Sequence, residues 1–343
     1  MDNYYELKDR ESFSSLSALA SGPQEYLKYL QREDDENIPE YFLKGKIVDD
    51  LRCLPVVNEY SVEDYFAQNY TINTLETPTG QDLTFANYLI ENFSLEEINK
   101  SVLLDSISEL KIYNNIKKED TLLSKYDNIE EYVSFYLSAK ASGNPVISFE
   151  LYTVCKNIIF GFLADPQTSQ YMSNESSGDV EIINEMPILW SIKRNPDVDV
   201  LMKSKLDKVI IDHKNQTIQP IDFKTTSSPT DSFKSSYIKY KYYYQAGLYS
   251  PALIYKQIKE KWCEGYKILD FLFIVGNGVD KPLIYSVPES QIQAAFSLGG
   301  RIGFSQVRPI IDLLDDLIWY KENGFETEKN YCLNGNYEIK VIE

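Results

Sequence analysis

The chain reads as an α/β protein: a central mixed sheet flanked by helices in the order αβββαβ, preceded by short helices and a helical insertion. Three observations carry this reading. Strand-like apolar runs at about 182–193, 200–212 and 217–226 follow a polar loop, SNESSGD, at 173–179. A helical stretch at about 235–260 comes next, then two further strand-like runs near 268–276 and 283–287. Ahead of the loop, residues 148–172 form a mostly apolar helical stretch.

The remaining elements follow from local signals. Residues 12–32 read as two short helices, the first capped by Ser12, Ser14 or Ser15 and broken at Gly22 and Pro23. Residues 40–54 form another helix, carrying Gly45 and Asp49. Residues 61–147 hold fourteen acids and six lysines with helical periodicity, as in LIENFSLEEINKSVLLDSISEL. The expected organisation is therefore N-terminal helices over 1–54, an acidic, mostly helical insertion over 55–147, and a core with a closing helix over 148–343. That last helix, PIIDLLDDLIWYKENG, should end near Gly324.

Composition narrows the class. At 343 residues the chain can bury a substantial core. No run approaches membrane-spanning length, and MDNYYELKDRESF lacks an export signal, so a cytoplasmic protein with no membrane partner is expected. Cys53, Cys155, Cys263 and Cys332 are scattered without a CxxC, which argues against a zinc site or a disulfide framework. The net charge of −18 is unfavourable for binding nucleic acid. It is unevenly spread, however: residues 203–267 carry twelve lysines against six acids, leaving that segment at +6 and the remainder at −24. Lysines flanking a sheet can also be simply solvated.

The densest chemistry lies in KLDKVIIDHKNQTIQPIDFKTT, residues 205–226. The apolar runs LDKVII and TIQPIDF are separated by Asp212, His213, Lys214 and Asn215, a polar cluster that reverses the chain in a hairpin. Asp207 and Asp222, fifteen residues apart, then lie on adjacent strands. Side chains alternate along a strand, so Asp222 and Lys224 share a face and Phe223 takes the other. A carboxylate and an ammonium together at a sheet edge suit a hard divalent cation and a phosphodiester. The plainer alternative is that these aspartates pair with nearby lysines or cap a turn. His213, the only histidine, falls in the turn, which argues against a Ser-His-Asp triad.

Upstream, Glu185 in NEMPILW precedes a strand-like run, and downstream Gln245 and Tyr249 form a QxxxY in YYYQAGLY. With IDFKTT, these segments resemble the PD-(D/E)XK nuclease superfamily, its RecB-type exonuclease branch, and within that the exonuclease VIII (RecE-like) group of phages. SFSSLSALASGPQEYL, KGKIVDD, EMPILW, KLDKVII, IDFKTT and QAGLY follow that group's order of motifs. The resemblance covers roughly 12–54 and 148–290, and residues 55–147 lie outside it. One position departs: four after Gly45, where the group usually has histidine, stands Asp49.

The resemblance implies a restriction-endonuclease-like core and Mg²⁺- or Mn²⁺-dependent hydrolysis of DNA, acting on double-stranded ends in phage-type recombination or replication. Asp207 and Asp222 would be metal ligands, joined by the Phe223 carbonyl and by Glu185, directly or through water. Glu181 lies close to Glu185 in sequence. Asp49 would stand in for the histidine, although Asp50 is beside it and either could be a solvated helix residue. Lys224 would orient or help deprotonate the attacking water. Gln245 and Tyr249 share a helix face; with Thr225 and Lys205 they would contact DNA or support the site. That helix could equally pack on the sheet through Tyr240, Tyr244 and Leu248. No iron-sulfur cluster is expected, because the cysteine spacing of cluster-bearing relatives is absent. A single-strand annealing protein and a homo-oligomer are the partners implied, in a phage-infected bacterium. Two alternatives stay open: a catalytically silent nuclease-fold module that binds nucleic acid or protein, and a structure-selective endonuclease or RNA nuclease.

Overall fold

A computed structural model describes residue 4 and residues 6–32, 39–196, 198–303 and 305–326. The chain divides into two compact units, Asn58–Lys156 and the remainder.

The larger unit opens with α1 (Phe13–Leu19) and α2 (Pro23–Leu30). Ser12 is the cap of α1: its Oγ accepts the Ser15 amide at 3.4 Å while Ser15 Oγ accepts the Ser12 amide at 2.8 Å. Gly22 separates the two helices at φ 138°, and Pro23 begins the second, where its missing N–H costs nothing. α3 follows (Glu40–Arg52).

Residues Asn58–Lys156 hold α4 (Glu59–Asn69), β1 (Thr71–Asn73), α5 (Gly80–Asn92), α6 (Lys100–Leu110), α7 (Glu119–Asp127), α8 (Glu130–Ser142) and β2 (Val146–Ser148). Phe85, Leu89, Ile107, Ile129 and Val133 are among the side chains of a core this unit builds for itself. The short parallel pair β1–β2 was not apparent from periodicity, since three-residue strands carry almost no pattern.

The boundary falls inside α9 (Phe149–Ala164), which ends earlier than the apolar run suggests. Asp165 stops it by accepting the amides of Gln167 and Thr168 at 2.9 and 3.1 Å. Then come β3 (Val180–Asn195), β4 (Val198–Asp212), β5 (Thr217–Thr225), α10 (Phe233–Lys239), α11 (Tyr242–Glu260), β6 (Lys267–Ile268), β7 (Phe271–Gly276) and β8 (Leu283–Val287). α12 (Glu289–Gln293), the hairpin β9 (Gly300–Ile302) and β10 (Ser305–Val307), and α13 (Ile310–Asn323) complete the unit. The helix expected over 235–260 is broken: Lys241 adopts φ 56°, and Tyr240, half exposed, lies in the break instead of packing on the sheet.

The sheet runs β3-β4-β5-β7-β8, with β6 beside β5. It is mixed: β4 meets β5 antiparallel, β5 meets β7 parallel, and β7 meets β8 antiparallel. This is an α/β architecture with helices flanking a central mixed sheet. α11 covers one face through Tyr244, Ala246, Leu248, Ala252 and Leu253, and α13 joins it with Ile310, Leu313 and Leu317. Among the described residues no helix is long and apolar enough to cross a membrane. Cys53 and Cys263 are free thiols, Cys155 is buried, and Cys332 lies outside the described residues.

Gly276 ends β7 where a side chain has no room. A Cβ there would lie 2.8 Å from two atoms of the Phe162 ring, which is itself fully buried. Gly276→Ala should therefore lower stability by about 1–3 kcal/mol in denaturant unfolding, with the secondary-structure content of the folded state unchanged.

Candidate active site

The site forms where two strands part. β4 and β5 pair from Asp212/Thr217 as far as Lys208/Ile221; from Ile221 to Thr225 the pairing of β5 is with β7. Beyond that point the Asp207 side chain does what a ladder carbonyl would have done, its Oδ2 accepting the Phe223 amide at 2.9 Å. β3 is disturbed opposite the same place. Asn184 pairs with Lys208 and Met186 with Leu206, while Glu185 between them sits at φ 53°. A non-glycine residue held in the left-handed region costs about 1–3 kcal/mol, and such strain collects at functional sites.

Into this gap α3 delivers Arg52, which has no exposed surface. Its Nη1 donates to the Asp207 carbonyl at 3.0 Å, its Nε to Asp49 at 3.1 Å and its Nη2 to Glu185 at 2.5 Å. The guanidinium also lies 5.0 Å from the centre of the Phe223 ring. Lys205 pairs with the other oxygen of Glu185. α3 passes β5 at Gly45, where a Cβ would meet Thr225 Oγ1 at 3.9 Å, an ordinary contact distance. One residue earlier, Lys44 donates to Ser227 Oγ at 3.0 Å, tying the helix to the segment that follows β5.

Asp222 is fully buried. Its Oδ1 accepts from the Gln245 amide, and the Lys224 ammonium lies 2.6 Å from Oδ2. The ammonium approaches Oδ2 off a hydrogen-bonding direction, leaving that oxygen buried with a charge partner and no aligned donor. The Tyr242 ring closes over Lys224 at 4.8 Å.

The expected site residues thus fall into two groups. Asp49, Glu185, Lys205, Asp207 and Phe223 are linked through Arg52 and the Phe223 amide, and Asp222, Lys224 and Gln245 contact one another, while Thr225 lies against Gly45. Gln245 and Tyr249 are both buried, so their place is behind the carboxylates and not on a surface that DNA could reach. Glu181 is elsewhere, 3.2 Å from His213 at the hairpin turn, and Asp50 is exposed on the far side of α3. The lysine excess over 203–267 is less available than its count suggests: Lys203, Lys205, Lys208, Lys224, Lys241 and Lys256 are all engaged in internal contacts.

Sequence reasoning missed two residues. Arg52 stands one helical turn after Asp49 on the same face, a spacing that could have flagged it. Lys208, fully buried, donates to the carbonyls of Tyr171 and Ser173 at 2.8 and 2.9 Å and to Asn174 Oδ1 at 2.8 Å. Asn174 in turn donates to the Arg52 and Leu54 carbonyls, so a buried lysine anchors the loop that holds the end of α3. No strand pattern distinguishes such a lysine from a solvated one.

The electrostatics follow from crowding. Burial first, then the neighbouring charge of Asp207, pushes Asp222 up to about 8, although Lys224 opposes the shift. Asp49 is raised by the same two causes, opposed by the charge and the hydrogen bond of Arg52. Burial works against the charge of Lys224, but Asp222 and Asp207 outweigh it and hold the ammonium above its ordinary range. Arg52 is held charged by Asp207 and Asp49 in the same way.

Among the described residues no three His, Cys, Asp or Glu side chains converge as a metal cage. The donor set fits instead the open arrangement that Mg²⁺ accepts, a pair of carboxylates completed by water and a phosphate oxygen. The buried Asp222 Oδ2, lacking an aligned donor, is the observation on which that fit rests.

The chain matches no family model and no curated protein. Among solved structures it is similar to a presumed exonuclease from Eubacterium rectale, at 13 % identity and a TM-score of 0.47, covering 100 % of this chain and 94 % of that one.

The raised Asp222 has a signed consequence for stability. An unfolded aspartate titrates near 3.8 and the folded one near 8, so between those values the folded state binds the extra proton. Stability should fall as pH rises from 5 to 8, and thermal unfolding across that range should show the slope reduced in Asp222→Asn. An equal slope in both proteins would remove Asp222 as its source.

Proposed function

We propose that this protein is a metal-dependent deoxyribonuclease that hydrolyses phosphodiester bonds, an exonuclease acting on ends of double-stranded DNA. The observation that carries the reading is the pairing of buried Asp222 with Lys224 two residues on, beside Asp207 from the adjoining strand. Asp207 and Asp222 would hold Mg²⁺ or Mn²⁺, with the Phe223 carbonyl as a further oxygen. When bound, such an ion supplies Lewis acidity toward water and a phosphate oxygen.

The side chains divide the remaining work. Lys224, paired with Asp222, would orient the attacking water and offset charge that develops on the phosphate. Gln245 fixes Asp222 from behind, and Tyr242 limits how far Lys224 can swing. Phe223 N–H orients the Asp207 carboxylate. A role in phage-type recombination beside a single-strand annealing protein, in an oligomer, belongs to the same proposal and rests on the sequence motifs alone.

Purified protein should degrade linear double-stranded DNA only when Mg²⁺ or Mn²⁺ is present, and chelation should stop it. Asp222→Ala should abolish the activity, and Lys224→Ala should lower kcat by about 10²–10³-fold, each with the fold verified by circular dichroism. Covalently closed circles should resist; cutting of circles would instead indicate an endonuclease. Wild type inactive on linear, circular, single-stranded and RNA substrates with either ion would point to a binding module.

A further inference from the structure

Arg52 Nη2 stands 2.5 Å from Glu185 Oε1 and 3.8 Å from Asp207 Oδ2, so one guanidinium nitrogen bridges carboxylates from two adjacent strands. Phosphodiester hydrolases that use two ions hold them roughly 3.5–4 Å apart. Here a second ion shared by Asp207 and Glu185 would lie between the two carboxylates, where the Arg52 guanidinium already stands. The arginine cannot easily yield that place. It is fully buried, its Nε and Nη1 are committed to Asp49 and the Asp207 carbonyl, and the centre of the Phe223 ring lies 5.0 Å from it. Withdrawing it would leave several carboxylates crowded without a counter-charge. A lysine would not serve equally, because its three donors share one nitrogen, whereas the guanidinium reaches Asp49, the Asp207 carbonyl and Glu185 from three separate nitrogens.

We propose that this site takes one divalent cation, on Asp207 and Asp222, and that the Arg52 guanidinium occupies the place of a second. The proposal rests on the metal-dependent reading above and goes beyond it by assigning the number of ions and a positioning residue.

The test counts Mn²⁺ bound to the full-length protein without DNA, from the electron paramagnetic resonance signal of free Mn²⁺. Site-bound ions are defined as those lost in the Asp207→Asn/Asp222→Asn double variant, which separates them from ions held loosely by an acidic surface. Wild type should bind one. Arg52→Met should bind two, and Arg52→Met/Glu185→Gln should return to one, because the second ion would need Glu185. Two ions in wild type, or a single ion in a folded Arg52→Met, would overturn the proposal. If Arg52→Met does not fold, the wild-type count still decides, since two equivalents reject the proposal and one supports it. No site-bound ion in wild type would remove the metal-dependent reading itself, and this inference with it.

Discussion

The site depends on how a cluster of carboxylates, one of them fully buried, is kept together. Asp49, Glu185, Asp207 and Asp222 come from a helix and three strands, and like charges in a low-dielectric recess repel or become protonated. The buried guanidinium of Arg52 holds three of these residues, and Lys224 holds the fourth. Breaking a buried charge pair is costly because it leaves an uncompensated charge behind. The ends of α3, β3, β4 and β5 are therefore mutually constrained by electrostatics as well as by packing.

That constraint shapes the backbone around it. β4 and β5 stop pairing where Asp207 takes the Phe223 amide, and Glu185 accepts a left-handed conformation inside a long strand. Both are departures from a regular ladder, and both lie where polar side chains must face each other across a gap. Behind them the construction is conservative. Lys208 and Asn174 fix the loop under α3, and Gln245 supports Asp222 from α11. A displaced carboxylate is costly in a site that works by positioning charge, which explains why so many buried polar groups stand behind so few that could meet a substrate.

The order of elements was largely legible. Period-two and continuous apolar runs marked β3, β4 and β5, the Asp212–Asn215 cluster marked their hairpin, and the Gly22–Pro23 break marked the join of α1 and α2. These are local signals, and local geometry is what side-chain periodicity and turn chemistry encode. Less was legible where a single backbone angle decides the outcome. The break at Lys241 that divides α10 from α11, and the short pairs β1–β2 and β9–β10, leave no pattern long enough to read.

For the site, the sequence by itself determined the chemistry available: Asp222 and Lys224 on one face, Asp207 on the neighbouring strand, and a Gln-Tyr pair on one helical face. Those follow from strand alternation, a hairpin and the helical repeat. Tertiary structure alone decided which other side chains complete it. Glu185 and not Glu181, and Asp49 and not Asp50, lie near Asp207, because α3 passes β5 at Gly45 and Glu185 takes a left-handed conformation within β3. Arg52, more than a hundred residues from Glu185 and Asp207 in sequence, could not be paired with those two by any local rule. Contacts between distant segments depend on how layers pack, and packing is a property of the whole fold.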